Sequence, residues 1–534
     1  MDIYITMSNE TPMFDPDLIG QEYSNCNTTQ LRPQENITST SFSGVATFII
    51  DIAKDEMVLP QNSYLVGKFN INSSNAAGAV GPLGKVQLLS TDTNLKPVGC
   101  ISSGGLMNCF SKLSHEIGSI NGNSVVQNIE NLPQCNGLLR QTHEMPRWAN
   151  ENSADPFNLV GTKQCHYFSD NSKTSIINVD NRYRQHDFDF IVENAYKQGL
   201  QQTQEITLSC KLPIALFMQE AKLYQGQHIV RLTIDSNWYK NMLDIVNIVG
   251  TNSANATGAI TSFGYNTNII PNATAVGNGF VGIQLVDLYY YVEYVKINKR
   301  PIGKHIMAFE SFNCTLHPCV SSGSDNFILP CKPHMLRVIM GFQSQYRINT
   351  EGGGAGNPNY NALINPVGMF GYNAINLNQL RIRYLSEVYP QTDYNLQLLN
   401  AIYDTPTAEG AMGIVIPAFG NSWDTVRAYE DYYNCMEFDD GEEAMTYQQW
   451  LLNPVFCFKF CSTTNQASNL EVFMNLSPTT QPVIVASTGA AAASSPYATT
   501  SLSGVTLYIL YVYRTLIECD FGEDTVSYKV FNLV

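Results

Sequence analysis

Short segments in which apolar and polar residues alternate recur along most of the chain, bounded by Gly, Asn, Pro and Ser. Every second residue is apolar in 206–212, and the same holds for 230–234, 380–384 and 470–476. Alternate side chains of a strand leave opposite faces of a sheet, so the pattern predicts half-buried β-strands. Many such strands joined by turns are typical of antiparallel sandwiches, and we predict an all-β fold.

Helical patterns are few and short. The clearest is 442–452, which follows an Asp-Asp-Gly turn and ends before Asn453 and Pro454, and a second is 189–200. Several long segments lack a clear strand pattern and predict long loops that contact partners: 132–204, 249–279, 350–372 and 463–504. The first of these is long enough that we expect it to pack on itself as an elaboration of the first domain.

Two opening segments of the chain resemble each other. Segments 39–71 and 308–342 each contain a strand pattern, a polar bend, a Leu-Pro step and a second strand pattern. The steps are Leu59–Pro60 and Leu329–Pro330. The similarity predicts that one strand-rich unit occurs twice.

Two closing segments match in the same way, because 285–295 can be aligned with 507–517 so that two Leu and two Tyr coincide. A length of 534 residues also favours two domains over one. The linking segment 297–304 is polar and contains Pro and Gly, as expected of a boundary. We therefore predict three parts: an N-terminal arm at 1–38, a first unit at 39–300 with its large insertion at about 132–204, and a second unit at 301–534.

The charge pattern argues against direct binding of nucleic acid. The net charge is -16, and we find no run of Lys and Arg that could neutralise phosphates. Charged residues make up only 14% of the chain, against roughly a quarter in ordinary soluble domains. Because the centres of protein interfaces are depleted in charge, this composition favours a surface buried against neighbouring molecules.

No targeting or membrane segment is predicted. The first residues lack the basic and apolar regions of a signal peptide, and the longest apolar stretch, 505–517, contains Arg514 and is shorter than the ~20 residues of a membrane span. The 13 cysteines show no disulfide framework, so we expect reduced thiols in an intracellular assembly compartment. Cys457 and Cys461 are expected to be thiols of the core or of an interface.

The best metal candidate is a group of five Cys and His residues within a short stretch: Cys314, His317, Cys319, Cys331 and His334. Cys and His together are the usual ligands of zinc. Cys314 and His317 differ in strand parity, however, and neither half has the spacing of a zinc finger or ribbon. We expect buried or edge thiols here, with a structural zinc site as the alternative.

Three other groups of residues resemble catalytic or phosphate-binding sites, but their patterns argue against that function. Cys165 and His166 are adjacent, so on a strand they would face apart. The segment 186–190 holds a His and two Asp, which equally suit the start of a helix. The Gly-rich segment 351–357 lacks the Lys and Ser/Thr of a phosphate-binding loop. We predict no catalytic residue, no cofactor and no enzyme activity.

An ordered set of passages resembles the double jelly-roll major capsid proteins of the lineage shared by virophages, polinton-like viruses, adintoviruses and adenoviruses. The passages are 57–66, 206–238, 375–390, 454–461 and 468–477. The resemblance implies two consecutive antiparallel eight-stranded jelly rolls with long loops and a few short helices. The polinton-like or virophage-like branch fits the chain length better than the adenovirus branch.

The resemblance also implies a function. Such a chain would form homotrimers, which are pseudo-hexameric capsomers of the icosahedral shell of a double-stranded DNA virus or virophage. Its partners would be its own copies, neighbouring capsomers, penton proteins and minor or cement proteins, and its location the virion. Two alternatives from other classes are a carbohydrate-binding attachment protein, although only 4 Trp are present for sugar stacking, and a β-sandwich glycoside hydrolase.

Overall fold

The computed structural model describes the strand-rich parts of the chain. The described residues are 23–35, 37, 42–74, 86–87, 96–101, 105–119, 122–142, 168–169, 202–218, 222–250, 260–265, 269–273, 280–297, 302–320, 323–344, 372, 375–396, 398–403, 415–419, 421–435, 447–452, 454–460, 468–476, 505–522 and 526–531. Within them, no helix is long and apolar enough to cross a membrane.

The first set of strands ends at Ile297. It comprises β1 Tyr23–Leu31, β2 Val45–Val58, β3 Tyr64–Ser74, β4 Val86–Gln87, β5 Lys96–Ile101, β6 Phe110–Ser119, β7 Gly122–Glu130, β8 Phe168–Ser169, β9 Gln202–Cys210, β10 Leu223–Ile234, β11 Leu243–Gly250, β12 Ile260–Tyr265, β13 Ile269–Pro271 and β14 Phe280–Ile297.

The second set begins at Gly303. It comprises β15 Gly303–Pro318, β16 Gly323–Cys331, β17 Met335–Ser344, β18 Leu377–Tyr384, β19 Glu387–Leu396, β20 Leu398–Tyr403, β21 Val415–Phe419, β22 Val455–Lys459, β23 Ser468–Leu476, β24 Val505–Phe521 and β25 Val526–Phe531.

Helices are short by comparison with the strands. The α-helices are α1 Leu132–Thr142, α2 Ala215–Met218, α3 Trp238–Met242, α4 Ser422–Cys435 and α5 Tyr447–Leu452. Two 3₁₀ turns, Pro60–Asn62 and Gly105–Cys109, connect strands of the first set.

The second set forms two antiparallel sheets. One has the order β15-β24-β17-β22, with β25 added beside β24, and the other has the order β16-β23-β18-β19. Leaving out the small β20-β21 hairpin and β25, the first strand pairs with the last, the second with the last but one, and so on inwards to the β18-β19 hairpin. A chain folded back on itself in this way is an eight-stranded jelly roll.

The first set repeats this order strand for strand. One series is β1-β14-β3-β9 and the other is β2-β10-β6-β7, while the small strands β4, β5, β8, β11, β12 and β13 are additions. Here the two series are joined into one sheet, because Glu56, Met57 and Val58 of β2 pair with Lys296, Val295 and Tyr294 of β14. We call the two sets the first roll and the second roll.

The strand order corrects the predicted N-terminal arm, 1–38. Residues Tyr23–Leu31 form the first strand of the first roll and pair with β14. Sequence patterning missed β1 because it is polar: Asn27, Thr28 and Gln30 are exposed, so no alternation of apolar residues marks it.

The correction also shifts the predicted correspondence of the opening segments. The strand before Leu59 and Pro60 is β2, which matches β16 rather than β15, and β1 matches β15. Both Leu-Pro steps therefore stand where the second strand of a roll leads into the third. The closing segments 285–295 and 507–517 lie in β14 and β24, which are the last strands of the two eight-stranded orders.

The predicted alternation is confirmed by the burial of the strands. Val230, Leu232 and Ile234 of β10 are buried, whereas Arg231 is exposed. The apolar positions of β18 and β23 are buried in the same way. The cores also contain pairs of aromatic side chains. In one of them, Phe42 and Trp238 have ring centroids 4.9 Å apart. Such pairs stabilise a fold by about 0.5–1.5 kcal/mol beyond the area that they bury.

The helix prediction at 442–452 is confirmed for α5, which ends at Leu452 immediately before Asn453 and Pro454. Residues 442–446 and the predicted helix 189–200 lie outside the described residues. Of the predicted loop 132–204, the structure describes α1, β8 and the first residues of β9. The longest described helix, α4, was not predicted.

Candidate functional site

The five predicted metal candidates are dispersed among different contacts. His317 lies 3.1 Å from Asp325 through its Nε2 and stacks on Phe327, with ring centroids 3.6 Å apart. Cys314 is fully buried, and its thiol donates to the backbone carbonyl of Thr315 at 3.8 Å.

The remaining three have separate environments. The thiols of Cys319 and Cys331 each donate to the backbone carbonyl two residues earlier, at 3.8 Å. Burial raises the pKa of both thiols to about 12. His334 occupies a left-handed turn with φ 53°. Among the described residues, no three His, Cys, Asp or Glu side chains are placed to hold a metal ion.

The other candidate residues lie mostly outside the described part of the chain: Cys165, His166, 186–190, 351–357 and Cys461. Cys457 is described and is buried in β22. The absence of a catalytic residue or cofactor stays a prediction.

One buried polar site of the described residues joins the two rolls to each other. Gln127 of β7 is buried, and its Nε2 donates to the carbonyl of Phe312 in β15 at 3.2 Å. Its Oε1 accepts from the backbone N–H of Ala215, 2.8 Å away. One amide thus satisfies a carbonyl of the second roll and the start of a first-roll helix, which fixes how the edge of β15 sits against β7.

A second contact brings the C-terminal strand of the second roll onto the first roll. The hydroxyl of Tyr528 in β25 lies 2.8 Å from the carbonyl of Tyr224 and 2.7 Å from that of Gln225. Its ring occupies the space where Gly226 has no side chain, and Gly226 has φ +143°. The register of β10 against β2 shifts at this point, so the tyrosine closes over an irregular stretch of strand.

Beneath this contact lies a buried pair of histidines. His115 and His228 stack with ring centroids 5.4 Å apart, and His115 Nε2 is 3.1 Å from His228 Nδ1. One ring must donate and the other accept, so the accepting ring is neutral. Burial lowers the pKa of His115 well below its ordinary value and that of His228 to about 4. Phe217 packs edge-on against His115, and Tyr528 against His228.

A third polar group lies in the second roll beneath α4. Arg337 is 2% exposed, and its guanidinium donates to Glu310 at 2.8 Å. Asp431 of α4 accepts a hydrogen bond from the hydroxyl of Tyr394, whose pKa burial and Asp431 raise. Arg427 lies over the Tyr394 ring, 5.1 Å from its centroid, and donates to backbone carbonyls of β19. The helix is therefore anchored by charges as well as by packing.

Two signals could have predicted α4 from the sequence. Asn421 and Asp424 form a reciprocal cap, in which Asn421 Oδ1 accepts from the Asp424 N–H and Asn421 Nδ2 donates to the Asp424 carboxylate. Residues of this type three positions apart commonly begin a helix. The buried positions Thr425, Ala428 and Tyr432 also follow the helical spacing, although two of them are polar or small.

Comparison with known proteins gives matches in structure only. No protein-family model matches the chain, and no curated protein matches its sequence. The fold is similar to that of a chain in the 3.5 Å cryo-EM structure of the Sputnik virophage, with a TM-score of 0.52 at 11% identity, covering 99% of this chain and 92% of that one.

The chain is a double jelly roll. The strand order and the Sputnik similarity together confirm the predicted fold class, and the sequence resemblance holds at the level of fold. Two further solved structures match less closely. They are the major capsid protein of mavirus (TM-score 0.48, 9% identity, covering 94% of this chain and 90% of that one) and the PBCV-1 virus capsid (0.44, 9%, 95% and 97%).

Proposed function

We propose that this double jelly roll is a major capsid protein, a structural subunit of the icosahedral shell of a double-stranded DNA virus or virophage. The observation that supports it most is the repetition of one strand order in two rolls that are docked by buried contacts. The similarity to the Sputnik virophage chain, which extends over nearly all of this chain, adds to it. In this proposal each roll is a domain, with the boundary near residue 300.

The geometry gives this proposal a physical basis. Three copies of a chain with two similar rolls would place six similar units around a threefold axis, and a closed symmetric trimer of that outline fits a hexagonal lattice. For this the two rolls must keep a fixed angle. The buried contacts of Gln127 and Tyr528 supply such a constraint, since each satisfies backbone groups across the boundary between rolls.

The partners follow from the same proposal. They are two further copies in a homotrimer, neighbouring capsomers, and penton and minor or cement proteins, all within the virion. A net charge of -16 disfavours contact with the genome. We assign no enzyme activity and no cofactor.

The glycoside hydrolase alternative needs two carboxylates facing each other across a cleft. A groove of about 600 Å³ does lie where β1, β2 and β14 meet, and its lining includes Asp51, Glu56, Lys296 and Tyr294. Both of these carboxylates project from one strand, β2. The described lining therefore does not provide the opposed pair that hydrolysis requires.

The test is the mass and outline of the purified protein. We expect a compact trimer by light scattering and a hexagonal outline by negative-stain microscopy. A Gln127→Ala/Tyr528→Phe variant should lose the regular outline, because the rolls are no longer fixed to each other. Lys112→Gln is the matched control, since that lysine is exposed in the same roll. A stable monomer whose melting temperature rises with added sugar would overturn the proposal in favour of an attachment protein.

A further inference from the structure

The first roll covers the outer face of one sheet of the second roll, β15-β24-β17-β22. Helix α1 packs against β15, β17 and β24, and β15 and β25 also contact β7. Gly341 of β17 faces the ring of Tyr372, whose hydroxyl donates to the carbonyl of Gln134 in α1 at 2.7 Å. Ile339 lies two residues earlier on the same face of β17 and is fully buried. This outer face is therefore the docking surface between the rolls.

The first roll contains the equivalent sheet, and no described helix covers its outer face. In strand order, β1, β14, β3 and β9 correspond to β15, β24, β17 and β22. Among the described residues, the substantial contacts of β3 and β14 are with strands of their own joined sheet and with the 3₁₀ turn Pro60–Asn62. The place that α1 takes on the second roll has no described occupant on the first.

Four apolar or aromatic side chains lie together on that outer face: Tyr64, Val66, Tyr289 and Tyr291. Tyr289 pairs with Val66 and Tyr291 pairs with Tyr64 in the β3–β14 ladder. The ring of Tyr291 is centred 5.0 Å from that of Tyr64 and 4.9 Å from that of Tyr289. Val66 and Tyr289 are buried, yet they are separate from the core, to which the alternate residues of both strands belong. We call these four residues the tyrosine patch.

A second exposed surface lies on α4 of the second roll. Both α1 and α4 occur between the fifth and sixth strands of their rolls, and α4 packs against β19 and β22. On the opposite side of α4, Trp423 is 73% exposed, and Val426 and Glu430 follow it one and two turns later. We call these three residues the α4 stripe. Tyrosine and tryptophan are enriched at protein interfaces, so both surfaces are suited to binding a protein.

We infer that the tyrosine patch of one copy binds the α4 stripe of a second copy. This inference rests on the proposed homotrimer and names the surfaces that hold it together. Within one chain, the outer face of the second roll meets the first roll beside β7 and α1. The same step, repeated, brings the outer face of the first roll against the corresponding strand and helix of a neighbour, β19 and α4. Three contacts within chains and three between chains then alternate, and the ring closes.

The charges at the two surfaces agree with this pairing. Arg32 binds both carboxylate oxygens of Asp287 beside the tyrosine patch, and Lys68 stands opposite Asp287 in the β3–β14 ladder. This end of the patch thus carries one excess positive charge, whereas Glu430 gives the α4 stripe a negative one. Opposite charges across an interface fix its orientation and disfavour wrong partners.

The first experiment measures the mass of purified variants by light scattering. The unchanged protein should be a trimer, and Trp423→Glu should be a monomer with an unchanged fold, because the tryptophan is exposed in the single chain. The loss of an aromatic hot spot weakens an interface by about thirtyfold or more, and a trimer loses three of them. Val426→Glu, on the next turn, should also give a monomer. Ile328→Glu is the matched control, since Ile328 of β16 is 63% exposed outside both surfaces and should leave the trimer intact.

The second experiment identifies the partner of the patch by cross-linking. A photoreactive benzoylphenylalanine replaces Tyr291 in an isotopically labelled chain, which is assembled with unlabelled chains and irradiated. Position 291 lies in the tryptic peptide 241–296, and Trp423 and Val426 lie in 384–427. We expect the labelled first peptide to be joined to the unlabelled second one, because the contact is between copies.

The outcomes separate this inference from the proposed function. A trimer that persists in Trp423→Glu and Val426→Glu, or a cross-link from position 291 to the first roll of the second copy, would overturn the pairing of patch and stripe and leave the capsid trimer standing. An unchanged protein that stays monomeric at the highest concentration reached would overturn the trimer and this inference together.

Discussion

The two rolls share a strand order but differ in the polar groups that they bury. The first roll encloses a neutral histidine pair, His115 and His228, within the contact to β25. The second roll encloses a charged group, Arg337, beneath the helix α4. Both rolls thus share their strand pairing. Their buried polar residues differ, because those of the first roll lie against β25 and that of the second roll lies beneath α4.

The third strands of the rolls also differ, in the side chains that surround a glycine of each strand. Gly67 of β3 and Gly341 of β17 both lie on the strand beside the last one. A Cβ on Gly67 would lie 2.8 Å from the ends of two side chains, those of Leu106 and Phe69. A Cβ on Gly341 would overlap the ring of Tyr372, whose hydroxyl donates to the carbonyl of Gln134 in the first roll.

The largest effect is therefore expected from Gly341→Ala. The Tyr372 ring is fully buried and its hydroxyl is hydrogen-bonded, so the substitution should destabilise the protein by about 3 kcal/mol, the upper end for overpacking. Gly67→Ala should cost about 1 kcal/mol, because the end of a leucine side chain can rotate. Chemical unfolding measures both. Equal losses would show that the two glycines are equivalent, and relief of Gly341→Ala by Tyr372→Ala would confirm the overlap.

Much of this architecture could be predicted from the sequence, because half-buried strands require alternation. Segments 285–295 and 507–517 could be aligned before their shared role as last strands was visible. Strand β1 was not predicted, because an edge strand with polar side chains shows no alternation of apolar and polar residues. The histidine pair could not be foreseen either, since His115 and His228 are far apart in sequence and meet only through the β6–β10 ladder.

The second comparison sets a buried ion pair against an exposed one. Arg337→Met should destabilise the second roll by about 2–3 kcal/mol, because it removes a charged hydrogen bond from a buried site. The effect should not be larger, since Glu310 is about one-third exposed and water can reach its carboxylate in the variant. Lys112→Met in the first roll breaks a pair exposed on both sides and should cost below about 1 kcal/mol. Similar unfolding free energies for the two variants would contradict this ranking.

The histidine pair predicts that acid lowers the free energy of unfolding. The folded pKa of His228 is about 4, below the ordinary value of 6.5, so the unfolded chain binds more protons between these limits. The histidines' contribution to the free energy of unfolding is therefore complete above about pH 6.5, and it falls as the pH decreases towards about 4. Each proton contributes up to about 1.4 kcal/mol per pH unit.

Unfolding measured between about pH 7.5 and 5 checks this, because most carboxylates remain ionised over that range. A His115→Leu/His228→Leu variant should show a flatter dependence than the unchanged protein. If the two slopes coincide, the acid sensitivity belongs to other groups.

The last comparison tests whether the rolls unfold as one unit. Tyr528→Phe removes a hydroxyl that bonds to the first roll and leaves the core of each roll intact, so it should cost about 1–2 kcal/mol. Tyr433→Phe, at an exposed position of α4, is the control and should change little. Hydrogen exchange distinguishes the possible outcomes. If Tyr528 couples the rolls, amides of β25 and of β10 near Gly226 should lose protection together, whereas a change confined to β25 would mean that the tyrosine merely holds its own strand in place.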